Sequence, residues 1–347
     1  MAENYTYKKE SDHGTKWYSG VIQTANATMI NPSEEVLLSE GWKKHPICPP
    51  ALYSGSDEIK PEVFIAQLYS TFPDLRHILF PVIDGTIFHY TTWSVLFQGI
   101  LNEKNQDSNG ERCVVLRAYS VNYMNDDSEG LLFAQGIADS ERESVQEHYP
   151  QEKLDNPLLL RRYKMWGENA KSFRQNRFSI SFSHESDSLP MWNYYGYEGK
   201  GICIGFDVKE IWNQGFCIFD CIYDAQQIQS LAQFAYKNID KYPRFIDVLP
   251  KDGHFEYEKE CRISLNTIIP RNYVKNERDI FYPVKYGLKN GYIVPYIDLF
   301  LPLSSINEIV IGPTLNLQRA QDSLHGWLNS LDLKNIKVKS SRAPLAR

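Results

Sequence analysis

The sequence predicts an α+β protein: a mixed, mainly antiparallel sheet core with flanking helices. Three observations carry this expectation. Short runs of alternating apolar and polar residues recur along the chain, the pattern of half-buried strands. The helical stretches between them are not interposed regularly, which argues against a doubly wound parallel sheet. Aromatic residues make up 13% of the chain, a composition that favours β structure.

The N-terminal part differs from the rest. The first 60 residues are polar and irregular, broken by Pro32, Pro46, Pro49 and Pro50. Pro61 opens a helix near 61–71, on which Val63, Phe64, Leu68 and Tyr69 fall on one face. Residues 1–80 are therefore expected to be an extension packed on a main domain of 81–347, as a lid or a surface for a partner protein.

From residue 86 onward the elements follow in order. Residues 87–90 are read as a strand, and Thr91 or Thr92 caps a helix running to Leu101. A strand over 112–119 leads to Asn125-Asp126-Asp127, which would cap a helix to about Ala138. Residues 156–171 read as helix and 177–183 as a strand. Strands over 201–206 and 216–223 flank a brief helical turn, and a long helix covers roughly 225–242. Further strands are expected over 255–265, 280–286, 292–297 and 308–311, then a helix over 315–331 and a last strand over 336–338.

Composition bounds the function classes. Hydrophobic content of 42% against 23% charged residues describes a soluble globular chain. A net charge of −6 disfavours a broad basic surface for nucleic acid. No apolar run reaches membrane-spanning length, and the first ten residues lack a signal core, so a cytoplasmic protein is expected. The six cysteines (Cys48, Cys113, Cys203, Cys217, Cys221 and Cys261) form no Cys-x-x-Cys pair and read as reduced core residues; no metal site is expected.

Four constellations bear on chemistry. In 178–183, Ser179, Ser181 and Ser183 alternate with Phe178, Ile180 and Phe182, so a strand sends the hydroxyls to one face. Such a row suits a ligand cleft; the alternative is an ordinary strand with a wet side. Trp192, Asn193, Tyr194 and Tyr195 follow in a short helix stopped at Gly196, where a ring is placed to stack on a planar ligand or to fill core. His89-Tyr90-Thr91 lies where a strand hands over to a helix, a position suited to holding sugar hydroxyls or merely to capping.

Finally, Glu256, Glu258, Glu260 and Arg262 would share one face of a strand over 255–265. Carboxylates so placed repel unless a cation answers them, so either this is a solvated edge strand or one glutamate serves as base or charge stabiliser.

Taken in order, His89-Tyr90-Thr91, Met124-Asn125-Asp126 with Glu129, the 178–183 run with Asp187, Met191 to Tyr195, Gly201 to Asp207, Tyr257 to Arg262 and Ile309 to Pro313 resemble a large bacterial family known mainly as a domain of unknown function. The resemblance spans about residues 86–340 and departs at Cys261, where the family pattern carries an aromatic residue. More weakly, the chain resembles the ADP-ribosyltransferase superfamily, which implies an ADP-ribosyltransferase-like fold and NAD as substrate. On that resemblance, Glu260 is the catalytic carboxylate and Glu258 orients or deprotonates the acceptor. His89, Tyr90 and Thr91 hold the adenosine-side ribose. Ser181, Ser183, Trp192, Tyr194 and Tyr195 line the nicotinamide side. The implied activity is ADP-ribosyl transfer, or NAD glycohydrolysis with water as acceptor, in a toxin or antiphage system, with an unidentified protein or nucleic-acid acceptor and an antitoxin or other partner on the extension. The alternatives are a metal-dependent nuclease or hydrolase built on Glu256, Glu258, Glu260 and Asp126, and a non-catalytic nucleotide-binding sensor.

Overall fold

In the computed structural model the described residues are 6–11, 14–19, 43–45, 61–107, 109–124, 131–148, 177–238, 244–266, 284–289 and 291–344. Asn125, Asp126 and Glu129, and the helix expected over 156–171, lie outside them. A three-stranded antiparallel sheet, β1 (Thr6–Ser11), β2 (Gly14–Ser19) and β3 (Lys43–His45), is formed by the first residues. Helix α1 (Pro61–Thr71) begins at its proline, as the fixed φ of proline favours.

The main sheet has ten strands: β4 (Thr86–Thr91), β5 (Cys113–Ser120), β6 (Arg177–Ser183), β7 (Ile202–Asp207), β8 (Ile218–Asp220), β9 (Glu260–Asn266), β10 (Lys285–Lys289), β11 (Tyr292–Pro302), β12 (Ile306–Ile311) and β13 (Lys337–Ser340). Among these strands only β12 and β13 pair in parallel. The fold is thus α+β with a mixed, mostly antiparallel sheet.

Its organising feature is a fork at β6. Strand β9 pairs with β6 along its whole length, from Arg177↔Asn266 to Ser183↔Glu260, and so occupies one edge. The other edge is shared: β5 pairs at Phe178 and Ser179, and β4 at Ser183. Strands β4 and β5 peel away in opposite senses and carry two wings, β4-β7-β12-β13 and β5-β11-β10. One core fills the space between them. Val114, Leu116 and Ala118 of β5 oppose Leu301, Leu299 and Ile297 of β11, and join Ile87, Ile204, Phe206, Ile309 and Ile311 of the other wing.

Strand β7 is buried on both faces, which is why Ile-Cys-Ile-Gly-Phe reads as a continuous apolar run. Its second face is covered by α4 (Leu189–Tyr194), where Met191 and Trp192 pack with Tyr90, Cys203 and Val310.

The remaining helices follow from caps and apolar faces. Thr92, not Thr91, caps α2 (Trp93–Val95), which continues as a wider turn over Leu96–Ile100. Asp207 caps α5 (Val208–Asn213), Asp224 caps α6 (Ala225–Lys237) and Asn316 caps α7 (Leu317–Ser330), each by accepting a backbone N–H. Helix α3 (Leu131–His148) runs about ten residues past the expected end. Its continuation is rich in good helix formers, and Ser140 Oγ satisfies the Gly136 carbonyl at 2.7 Å. Gly136 lets α3 approach α6, since a Cβ there would lie 2.7 Å from that of Ala232. Leu68, Phe72, Leu75 and Leu79 join the main core, Phe72 meeting Phe234 of α6 edge-on, so α1 and the turn after it are integral to the packing.

Several strands differ from expectation: the one read over 216–223 is only Ile218–Asp220, and the one read over 280–286 is described as Lys285–Lys289. Strand β11 continues to Pro302, because the alternation of Ile297, Leu299 and Leu301 persists past Tyr296. The strand expected over 255–265 starts only at Glu260; residues Gly253–Glu258 form a 3-10 turn capped by Asp252, and Lys259 takes a left-handed φ of 43° between them.

Where α4 ends, the chain doubles back tightly against β4. A Cβ on Gly201 would lie 2.4 Å from the Thr91 carbonyl oxygen and 2.8 Å from that of Gly196, both backbone atoms with little room to yield. Gly201→Ala is expected to cost roughly 1–3 kcal/mol, the range for forcing atoms into a packed site. Chemical denaturation measures this; an unchanged midpoint would show that the turn relaxes freely.

Candidate functional site

The break at Lys259 shapes the site. In a regular strand Glu256, Glu258, Glu260 and Arg262 would line one face; instead Glu256 is exposed while Glu258 and Glu260 are 2% and 3% exposed and converge on one cation, Lys251. Lys251 follows Pro250, whose segment bridges to Ile222, so a residue nine positions before Glu260 folds back over β9. Lys251 Nζ donates to Glu258 Oε2 and, at 2.5 Å, to Glu260 Oε2. Arg262 Nε and Nη2 donate to Glu260 Oε1 and Oε2 at 2.6 and 3.0 Å, and Arg262 Nη1 donates to the Val248 carbonyl at 2.6 Å. Two buried cations therefore balance two buried carboxylates, which removes the repulsion that the sequence implied.

The two carboxyls are nevertheless unlike. Burial alone would raise both. At Glu260 this is outweighed by Arg262 and Lys251, which hold it well below the usual carboxylate range. At Glu258 burial wins over Lys251, with the charge of Glu260 reinforcing it, and the carboxyl is pushed up. Glu258 Oε1 accepts a 2.8 Å hydrogen bond from Tyr195 Oη, whose phenol burial and the neighbouring Glu258 charge keep protonated. Lys251 stays cationic: burial works against its charge, and Glu260 and Glu258 override it. Glu260 N–H is satisfied by Tyr223 Oη at 3.0 Å.

Tyr195 sits at the rim. Beside it, exposed Tyr194 and Tyr257 lie 6.3 Å apart between ring centres, Tyr257 lies 6.5 Å from Phe255, and Lys251 Nζ sits 4.9 Å from the Phe255 centroid. The result is an aromatic mouth over a buried, charge-balanced pair of glutamates.

The serine row faces this side, and two of its three hydroxyls are spent on structure. Ser183 Oγ donates to the Glu258 carbonyl at 2.7 Å and accepts from Glu185 N–H, tying β6 to the glutamate turn. Ser179 Oγ donates to the Ile263 carbonyl at 3.2 Å. Ser181 Oγ is buried with no hydrogen-bond partner among the described residues. Its carbonyl lies in the gap of the fork and meets His89 Nδ1 at 3.0 Å, which places a proton on that nitrogen. Burial lowers the His89 pKa, the Ser181 carbonyl opposes this, and the charge of Lys289 adds to the lowering. His89 is thus a neutral imidazole at the fork, one strand away from the Glu260 strand.

Tyr90 and Trp192 take no part in the mouth. Tyr90 is 6% exposed; its hydroxyl donates to the Glu185 carbonyl at 2.8 Å and accepts from Ser188 N–H at 3.0 Å. Trp192 is fully buried, edge-on to Tyr90 at 4.9 Å, and its Nε1–H donates to Asp187 Oδ1 at 2.7 Å. Asp187 also holds Ser341 Oγ and, at 2.6 Å, Arg342 N–H, so this group pins the C-terminal segment. Thr91 is buried in β4. The structure therefore gathers Glu258, Glu260 and Tyr195, with Ser183 behind and Tyr194 beside them; His89 and Ser181 meet at the fork; Tyr90, Thr91 and Trp192 are buried.

The residues that sequence reasoning missed are Lys251, Tyr223, Phe255 and Tyr257. The unpaired carboxylates of 256–260 were a signal that a cation had to answer them, but nothing local identified Lys251 as that cation. For a divalent ion the cluster is a poor host, because Lys251 and Arg262 already occupy three of the four carboxylate oxygens.

Residues 191–263 match a family model described as "Protein of unknown function (DUF2971)". The DUF2971 span runs from α4 to β9 and contains Tyr194, Tyr195, Tyr223, Lys251, Glu258, Glu260 and Arg262, that is, the mouth and the whole charge cluster. His89 and Ser181 lie outside it. No curated protein and no solved structure matches the chain. Among the described residues no helix is long and apolar enough to cross a membrane.

Proposed function

We propose that the protein consumes NAD, transferring ADP-ribose to an acceptor or, with water as acceptor, hydrolysing NAD. The observation that carries this reading is the pair of buried glutamates two residues apart with unlike surroundings, a division of labour suited to glycosyl chemistry. Both oxygens of Glu260 are engaged by Arg262 and Lys251, so its role is to position Lys251 and to balance the charge of the two cations. Glu258, held by Lys251 and by Tyr195 at the rim, is the carboxylate that meets substrate.

In the reaction the bond between the ribose anomeric carbon and the pyridinium nitrogen breaks, and its electron pair neutralises nicotinamide. Glu258 stabilises the positive charge left on the ribose carbon. The acceptor then bonds to that carbon and gives its proton to Glu258. Tyr194 and Tyr257 offer exposed rings against which nicotinamide can stack. Neutral His89, at the fork, is assigned to a ribose hydroxyl, and the order of His89, the serine strand and the glutamates supports an ADP-ribosyltransferase-like arrangement. NAD consumption in the cytoplasm would suit a toxin or antiphage effector.

Incubating the pure protein with NAD tests the reading. Nicotinamide release that falls by at least about 100-fold in Glu258→Gln is expected. Absence of release together with absence of any thermal shift by NAD would reject it.

A further inference from the structure

We propose that His184, Asp220 and Cys261 form a binding site for a divalent transition-metal ion of the zinc class, separate from the glutamate site. The sheet register builds it. Strand β6 pairs Phe182 with Cys261 of β9, and β8 pairs Asp220 with the same Cys261. One step past β6, the His184 N–H donates to the Lys259 carbonyl at 3.0 Å, so the ladder continues and His184 returns to the face of Phe182. Three neighbouring strands thus present an imidazole, a carboxylate and a thiol side by side. Glu260 and Arg262 alternate to the opposite face, so none of this set belongs to the mouth described above.

The ligating atoms of the three residues all lie within 4.8 Å of one another, and His184 Nε2 is 2.6 Å from Asp220 Oδ1. Tetrahedral coordination at about 2.0–2.3 Å from a common ion spaces ligand atoms roughly 3.3–3.8 Å apart, a change that small side-chain rotations of His184 and Asp220 supply. The donor set is mixed nitrogen, oxygen and sulfur, which suits zinc-class ions and not magnesium or calcium. A carboxylate and a thiolate would balance the dication. Cys261 is fully buried and fixed within β9, whereas His184 is exposed and Asp220 partly so, which gives a rigid floor with two ligands reached from solvent. No Cys-x-x-Cys spacing announces the site, because its ligands come from three separate strands.

Cobalt(II) alone, added to the metal-stripped full-length protein, tests the site. One equivalent is expected to bind with a near-ultraviolet charge-transfer band, the mark of a cobalt–thiolate bond. Both Cys261→Ser and His184→Gln are expected to lose the band and bind at least about 100-fold more weakly, since even outer-shell changes can reach that loss. His184 lies at the surface, so its variant keeps the test open should the core Cys261→Ser protein fail to fold. No band with the native protein, or a band that survives in either variant, would overturn the proposal.

Discussion

Arg262→Met is expected to cost about 3–5 kcal/mol of folding stability, the usual penalty when a buried ion pair loses one partner. Arg262 is 1% exposed and gives Glu260 two hydrogen bonds and the Val248 carbonyl a third. Without it, Lys251 alone faces two carboxylates, leaving one negative charge uncompensated in the interior. The double variant Arg262→Met/Glu260→Gln restores neutrality, with Lys251 and Glu258 still paired, and should recover a large part of the loss. Urea denaturation of both singles and the double closes the cycle. The coupling should be strongly favourable to the native pair. A cost for Arg262→Met below about 1 kcal/mol would place the cluster with wet surface pairs, which contribute little. The pH dependence has a definite sign. Glu260 titrates near 2 in the folded chain, so its stabilisation is present above the ordinary glutamate range and is lost as pH falls through that range toward about 2.

How much of this was legible in the sequence depends on whether the determining contacts are local. The strand Arg177–Ser183 and the helix starting at Pro61 were readable to the residue, because alternation and a proline at the first helical position are local signals. The lengths of α3 and β11 were misread although local signals were present: helix formers continue past Ala138, and the alternation of Ile297, Leu299 and Leu301 continues past Tyr296. The fork at β6 left no mark in the sequence: Ser179 and Ser183 are ordinary strand residues, yet they sit against different wings. The glutamates were found for a sound reason but placed on the wrong scaffold. Residues 255–265 alternate well enough to read as one strand, whereas relief of repulsion between Glu258 and Glu260 comes from the left-handed break at Lys259 and from Lys251. The aromatic helix shows the converse. Trp192 and Tyr195 are three apart, yet Trp192 is buried against Tyr90 while Tyr195 reaches Glu258, a distinction that only the partners decide.

Glu258→Gln is expected to reduce nicotinamide release by roughly 10²–10⁴-fold, the span covered by a positioned acid–base group. The amide keeps the shape of the carboxylate and a hydrogen-bond acceptor for Lys251, and Glu260 still holds Arg262 and Lys251, but one positive charge loses its partner, so urea denaturation of the variant accompanies the turnover measurement. The pH profile separates a chemical role from a packing one. Burial raises the Glu258 pKa, so native kcat/KM should fall with decreasing pH through an apparent pKa above the ordinary glutamate value. Tyr195→Phe removes a hydrogen bond that favours the ionised form and should move that inflection further upward. The residual rate of Glu258→Gln should lack the inflection. The contribution of Glu258 to stability changes in the opposite sense to activity: a carboxyl whose folded pKa lies above its unfolded value binds its proton more tightly when folded, so its contribution grows as pH falls through that range, above the window in which the stabilisation by Glu260 is lost. A base that works better as pH rises, while its own contribution to stability grows as pH falls, is the signature of a carboxylate kept ionised at the expense of the fold. If Glu258→Gln turns over NAD like the native protein, or shows the same inflection, the proton acceptor is another group and the role proposed for Glu258 is wrong.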